Sequence, residues 1–173
     1  MIVGEAEALA FIQGYKHLML EVLGPEEVGD GRDTLTLLAA GRKEYLADPS
    51  RLDRALEALA GKSITVPAEV RAAVRSLEVK AWVYLRDTRA YSVFIDPDGQ
   101  AAYGVLGLTQ RLRDLLGDSG AVVETGLMCY GGRYVSDGLV TRVAWLGRGY
   151  RQEFTALLAE LRAQGRFHTR CPA

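Results

Sequence analysis

Apolar residues in the first part of the chain recur at three- and four-residue steps. From Ala8 onward, Phe11, Ile12, Tyr15, Leu18, Met19 and Val22 mark one face of a helix ending near Gly24-Pro25. After a polar connection, EEVGDGRD, the positions Leu35, Leu38, Ala39, Tyr45 and Leu46 predict a second helix closed by Asp48-Pro49. Ser50-Arg51-Leu52-Asp53 has the form of a capping box, and Leu52, Ala55, Leu56 and Leu59 give a third helix a single apolar face before Gly61. Pro67 opens a fourth segment with Val70, Val74 and Leu77 on one side. Helices this short and amphipathic must pack on one another or on the rest of the chain.

Near Glu78 the period falls to two. VKAWVYL alternates, with Val79, Ala81, Val83 and Leu85 opposite Lys80, Trp82 and Tyr84; a turn at RDTR leads to a second strand, AYSVFI. Asp96-Pro97-Asp98-Gly99 is a turn sequence, so the strands are expected to meander antiparallel into AAYGVLG. TQRLRDLL predicts a short helix capped at or just before Thr109, AVVETGLMCY and LVTRVAWL predict two more strands joined by the Gly-rich GGRYVSDG, and residues 150–163 predict a last helix with Phe154, Leu157, Leu158 and Leu161 on one face. The expected fold is α+β: N-terminal amphipathic helices packed with a mostly antiparallel sheet of about five strands and two further helices. A helical lobe, residues 1–77, and an antiparallel-rich α+β lobe, residues 78–173, are expected to share one compact domain. The order of elements contains no repeat and no long linker.

The chain has 173 residues, 49% hydrophobic and 25% charged, enough for a packed core. Its 21 basic and 22 acidic residues exclude a strongly basic nucleic-acid wrapper and an acidic disordered tail. That balance is an average over unlike halves. Residues 1–67 hold 7 Lys+Arg and 11 Asp+Glu, whereas residues 68–173 hold 14 and 11. A solvated surface accounts for the basic end, and an acidic or phosphate-bearing partner is the functional alternative. MIVGEAEALA has neither the basic n-region of a secretory signal nor the Arg content of a transit peptide, and no apolar stretch reaches membrane-spanning length, so a cytoplasmic setting without a membrane is expected. Cys129 and Cys171, 42 residues apart, are expected to be free thiols, the first in the core and the second exposed.

YGVLGLT (Tyr103 to Thr109) and GGRYVSDGL (Gly131 to Leu139), followed by a helix and the terminal GRFHTR, resemble a group of uncharacterised bacterial proteins. In that group an alternating strand, a Y-G-V-L-G-L segment, a G-R-x-x-x-D-G-L segment and a closing basic helix occur in this order. The resemblance spans roughly residues 78–170 and carries no activity, cofactor or site residue to transfer. It implies that the C-terminal half is the defining unit.

The densest set of polar and flexible residues runs from Tyr130 to Gly138. There the glycines would admit a ligand, Arg133 would bind an anion, and Asp137 would orient Arg133 or polarise a hydroxyl. The alternative is a hairpin in which Arg133 and Asp137 pair with each other. Arg148, within Gly147-Arg148-Gly149-Tyr150-Arg151, precedes the final helix, where backbone NH groups could hold a phosphate. Tyr130, Arg133, Asp137, Arg142 and Arg148 are therefore the candidate ligand-binding residues.

Asp96 and Asp98 only superficially resemble a calcium loop, since Gly107 stands where the twelfth-position Glu belongs; a tight turn is expected. Arg86, Asp87 and Arg89 are expected to be solvated charges. His17 is expected to be partly buried in the first helix and His168 to lie near a mobile terminus, and no G-x-S-x-G, H-E-x-x-H or S-x-x-K is present. No cofactor or metal is expected, and the balance leans away from an enzyme. A non-catalytic protein-interaction or regulatory module, with a protein partner or self-association, is the leading expectation. The alternative is a small-anion-binding enzyme using residues 130–151. Nucleic-acid binding by tyrosines interleaved with Arg86, Arg89, Arg133 and Arg142 is not favoured at a pI near 6.1.

Overall fold

The helical period of the first part of the chain is realised as α1 (Glu5–Leu23), α2 (Pro25–Val28), α3 (Thr34–Ala47), α4 (Ser50–Gly61) and α5 (Ala68–Arg75). The computed structural model describes residues 1–29 and 31–172, except the side chain of Arg142. These form two units, one of residues 6–74 and the other of residues 1–5 with 75–173.

In the helical unit the apolar stripes do what their spacing requires. Phe11, Leu18, Met19, Leu52, Val70 and Val74 are buried, and Phe11 stacks on Tyr15 at 5.2 Å between ring centroids. Tyr45 buries its ring and donates its hydroxyl to the carbonyl of Val74, so the phenol is not left unpaired. Two helix starts show how local chemistry sets boundaries. Asp33 accepts a hydrogen bond from the backbone N–H of Thr36 and caps α3. At α4, the expected capping box does not form. Pro49 occupies the cap position, and Asp48 accepts from both the N–H and the hydroxyl of Ser50. His17 is exposed on α1, not partly buried as expected.

The second unit is built on β1 (Glu78–Asp87), β2 (Ser92–Ile95), β3 (Ala102–Leu106), α6 (Leu112–Leu116), β4 (Ala121–Tyr130), β5 (Arg133–Trp145), α7 (Arg148–Ala163) and β6 (Phe167–His168). Strand order is β2-β1-β4-β5-β3-β6, and β2 also pairs with β3. That last pairing joins the two sides, so β1 to β5 form a closed ring with β6 beside β3. The first part of β1 pairs with β4 and its last part with β2, across a bulge between Tyr84 and Arg86. β3 runs parallel to β5 and to β6, and the remaining pairs are antiparallel. A five-stranded ring of this connectivity, with a helix between its third and fourth strands, is the arrangement of an OB-fold barrel.

The fold class is α+β, as the patterning implies, but the sheet is mixed where mostly antiparallel pairing was expected. Alternation along a strand reports which face a side chain takes. It does not report the direction of the neighbouring strand, and β6, two residues long, is too short to show a period.

Each side of the sheet carries a buried cluster. Trp82, Tyr84, Phe94, Val105, Val123 and Leu127 form one cluster, which Leu112 and Leu116 of α6 close at one end. Val83, Leu85, Val93, Ile95 and Ala102 form the other, covered by Leu158 and Leu161 of α7. Double-sided burial explains why β2 reads as the continuous apolar run Val93-Phe94-Ile95.

Cys129 and Cys171 form a disulfide, Cα to Cα 5.9 Å, which overturns the expectation of free thiols. The sequence separation of 42 gives no hint of this. β6 lies parallel to β3, and Cys171 N–H donates to the carbonyl of Gly132, which brings the end of the chain alongside β4. Both sulfur-bearing residues are half-buried, so Cys129 is less deep, and Cys171 less exposed, than expected. His168 lies within β6, its ring 5.8 Å from that of Tyr103.

Candidate functional site

Tyr130 to Gly138 is mostly strand. The connection between β4 and β5 is only Gly131-Gly132, both with positive φ (57° and 68°), the requirement of a two-residue hairpin turn that matches strand twist. Farther along β5 the register slips against β4 between Thr125 and Leu127, and Gly138 takes a positive φ of 76°. Asp137 fills that irregularity. Its carboxylate is buried and accepts from the N–H groups of Gly126 (3.2 Å) and Leu139 (3.1 Å) and from the Thr125 hydroxyl (3.4 Å). The Asp-Gly-Leu segment thus has a structural task, holding a β-bulge by accepting from backbone donors on both strands.

Asp137 and Arg133 do not pair. Arg133 is exposed beside the hairpin turn, Tyr130 is buried opposite it, and Arg148 is exposed in the first turn of α7. Arg142 pairs through its backbone with Glu124, and its side chain lies outside the described residues. Tyr130, Arg133, Asp137 and Arg148 do not border the cavities described below.

Two adjoining clefts gather arginines at the α6 end of the ring. One, about 550 Å³, is bordered by Asp87, Thr88, Arg89, Arg111 and Arg113. The other, about 350 Å³, is bordered by Arg86, Asp87, Arg113, Asp118, Ser119 and Arg151. Asp87 and Arg113 belong to both. The five arginines come from β1, the turn after it, the start of α6 and the first turn of α7. All five are exposed, and none makes an ion pair or side-chain hydrogen bond with the described residues.

Asp87 is differently placed, accepting the hydroxyls of Tyr84 and Ser92. Burial, and then the hydrogen bond to Asp87 with its negative charge, push the Tyr84 phenol well above its ordinary pKa of 10.0. The result is a neutral phenol anchoring a carboxylate among guanidinium groups. Trp145, 57% exposed at the end of β5, lies near Gly117 on the wall of the smaller cleft.

A different recess opens on the aromatic side of the ring. It measures about 280 Å³ and is bordered by Glu78, Trp82, Tyr103, Met128, Tyr134 and Pro172, among others. Trp82 and Tyr103 stand at 86° with centroids 5.8 Å apart, and Tyr103 and Tyr134 at 62° and 4.8 Å. Lys80 lies with Nζ 5.1 Å from the Trp82 ring centroid and bridges Glu78 (2.8 Å) and Asp96 (3.1 Å). The hydrogen bond to Glu78 is the main cause that raises the Lys80 ammonium above its usual pKa, and burial opposes it. Burial raises the Tyr103 and Tyr134 phenols.

Among the described residues no group of three or more His, Cys, Asp or Glu side chains converges as a metal site would require. Asp96 and Asp98 instead build the expected tight turn: Asp98 N–H donates to the Asp96 carboxylate, and Gly99 N–H to the Asp96 carbonyl. No helix is long and apolar enough to cross a membrane among the described residues. Sequence reasoning missed the arginine clefts because their members are scattered from residue 86 to residue 151. The available signal was the closely spaced pairs Arg86/Arg89 and Arg111/Arg113 flanking turns. Scans against protein-family models, curated proteins and solved structures each return no match.

Proposed function

We propose that this chain is a non-catalytic interaction module whose partner is polyanionic and docks in the arginine-lined clefts. One observation carries the reading: five guanidinium groups without carboxylate partners among the described residues border two adjoining clefts, whose described lining includes two aspartates. Like charges held together without internal neutralisation raise the local potential and favour an anion supplied from outside. Arginine is suited to this, because its planar fork meets phosphate or carboxylate oxygens in pairs. Self-association is the same chemistry with the acidic residues 1–67 of a second copy as the anion.

A second reading is a single-stranded nucleic acid as the partner. Exposed Trp145 beside the smaller cleft favours it, since a base can stack there while phosphates meet Arg113 and Arg151. The outer surface of β2 and β3, which OB-fold barrels commonly use for oligonucleotides, is covered by α7, so the strand would have to run past α6 instead.

The test is retention of three probes at low ionic strength: inorganic tripolyphosphate, an oligo-glutamate peptide and a short oligothymidylate. Binding that weakens steeply between about 50 and 200 mM salt, and by about tenfold in Arg113→Ala, supports the module. Preference for the oligonucleotide that disappears in Trp145→Ala selects the second reading. Retention of none of the probes, with a salt-independent monomer in sedimentation, overturns both.

A cytoplasmic setting requires the Cys129–Cys171 bridge to be transient, because thiols are kept reduced there. An oxidising compartment would keep it closed. Alkylation trapping in intact cells separates the two.

A further inference from the structure

We propose that the recess bordered by Trp82, Tyr103 and Tyr134 is a binding site for an alkylated ammonium group. The argument begins with the shape of its walls. Flat rings are held by parallel faces, but here neighbouring rings stand at 86° and 62°, forming a corner. Non-parallel rings bordering one recess suit a compact, nearly spherical cation, attracted by ring quadrupoles, better than a flat ring.

The remaining lining agrees. Leu127 and Met128 add apolar lining, which suits methyl groups and offers little to the many hydroxyls of a sugar. Ser76 is already engaged, accepting from the Cys129 N–H. Glu78 borders the recess, and with Asp96 it leaves two carboxylates for the single ammonium of Lys80, so the surroundings keep a negative excess. Lys80 itself shows that a cation is accommodated against Trp82. At about 280 Å³ the space fits a small head group. The site is separate from the arginine clefts, sharing no bordering residue with them.

Choline and its neutral carbon isostere, 3,3-dimethyl-1-butanol, are the discriminating probes, titrated calorimetrically into the full chain. Choline is expected to bind saturably and about tenfold more tightly than the isostere. Tyr134→Leu removes one wall and is expected to weaken choline by about tenfold, whereas Tyr134→Phe keeps the ring and the affinity. Should Tyr134→Leu fail to fold, exposed Glu78→Gln takes its place: choline binding falls several-fold and the isostere is unaffected. A trimethyl-lysine peptide, compared with choline, shows whether the group comes from a peptide or a free small molecule. Equal binding of choline and isostere, binding untouched by these variants, or no saturable choline binding would each overturn the proposal. Because the polyanion probes report on another site, this result stands apart from theirs.

Discussion

Gly120 and Arg151 occupy a shared space: the guanidinium of Arg151 lies where a β-carbon at residue 120 would stand. Gly120 has φ of +86°, donates its N–H to the Tyr84 carbonyl and accepts from Leu146 N–H, so its backbone cannot retreat without breaking both bonds. Gly120→Ala is therefore expected to lower stability by about 1–3 kcal/mol, through strained backbone and displaced side chain together. It should also weaken polyanion binding by moving Arg151. Denaturant unfolding and tripolyphosphate titration check the two effects; an alanine variant unchanged in both would refute the placement of Arg151.

Arg113 alone among the arginines borders both clefts. Its replacement by alanine should weaken an extended polyanion more than replacement of Arg89 or Arg151, each of which borders one. All three are exposed, so stability should change by no more than about 0.5 kcal/mol. Parallel titrations of the three variants decide the ranking, and equal losses would contradict it.

The Cys129–Cys171 bridge closes a loop of 42 residues around β5, α7 and β6. On the chain-entropy view, opening it should cost about 3–4 kcal/mol, less whatever order the reduced chain keeps. Reductant should accordingly lower the melting temperature of the native chain. Cys171→Ser should show the lower melting temperature from the outset and no response to reductant.

Alkaline pH should destabilise the second unit. Tyr84, Tyr103 and Tyr134 have phenol pKa values raised by burial above the ordinary 10.0. In the unfolded chain these phenols ionise near pH 10, while in the folded chain they stay neutral, so the unfolded state gains by losing protons first. Stability from this source is complete below pH 10 and is lost as pH rises beyond it. A spectroscopic titration should show some of the eight tyrosines ionising only with unfolding. Tyr84→Phe should flatten the alkaline decline.

Where one face or one stripe is buried, the sequence states its structure openly. β4 has the boundaries its apolar run implies, and α7 starts two residues earlier than its stripe. The first six residues of β5 gave the opposite impression, because Gly138 and Asp137 look like loop chemistry when they serve a bulge inside a strand. Arg133 and Asp137, close in sequence, are separated by burial. Arg86 and Arg151, distant in sequence, border one cleft. Local pattern encodes which face a residue takes, but the convergence of exposed charges depends on strand order, which no short window contains.

The ring also dictates a timetable. β3 has β2 on one side, and its neighbours on the other side, β5 and β6, are drawn from residues 133–168. A ribosome making this chain from the N-terminus would release β1 to β4 before β3 could begin to acquire that second edge. Closure is thus a late event, and until it happens β3 carries an open row of backbone donors and acceptors. The nascent protein therefore passes through a stage when protection by a chaperone matters most, and the β5 and β6 residues that pair with β3 are the ones that end it.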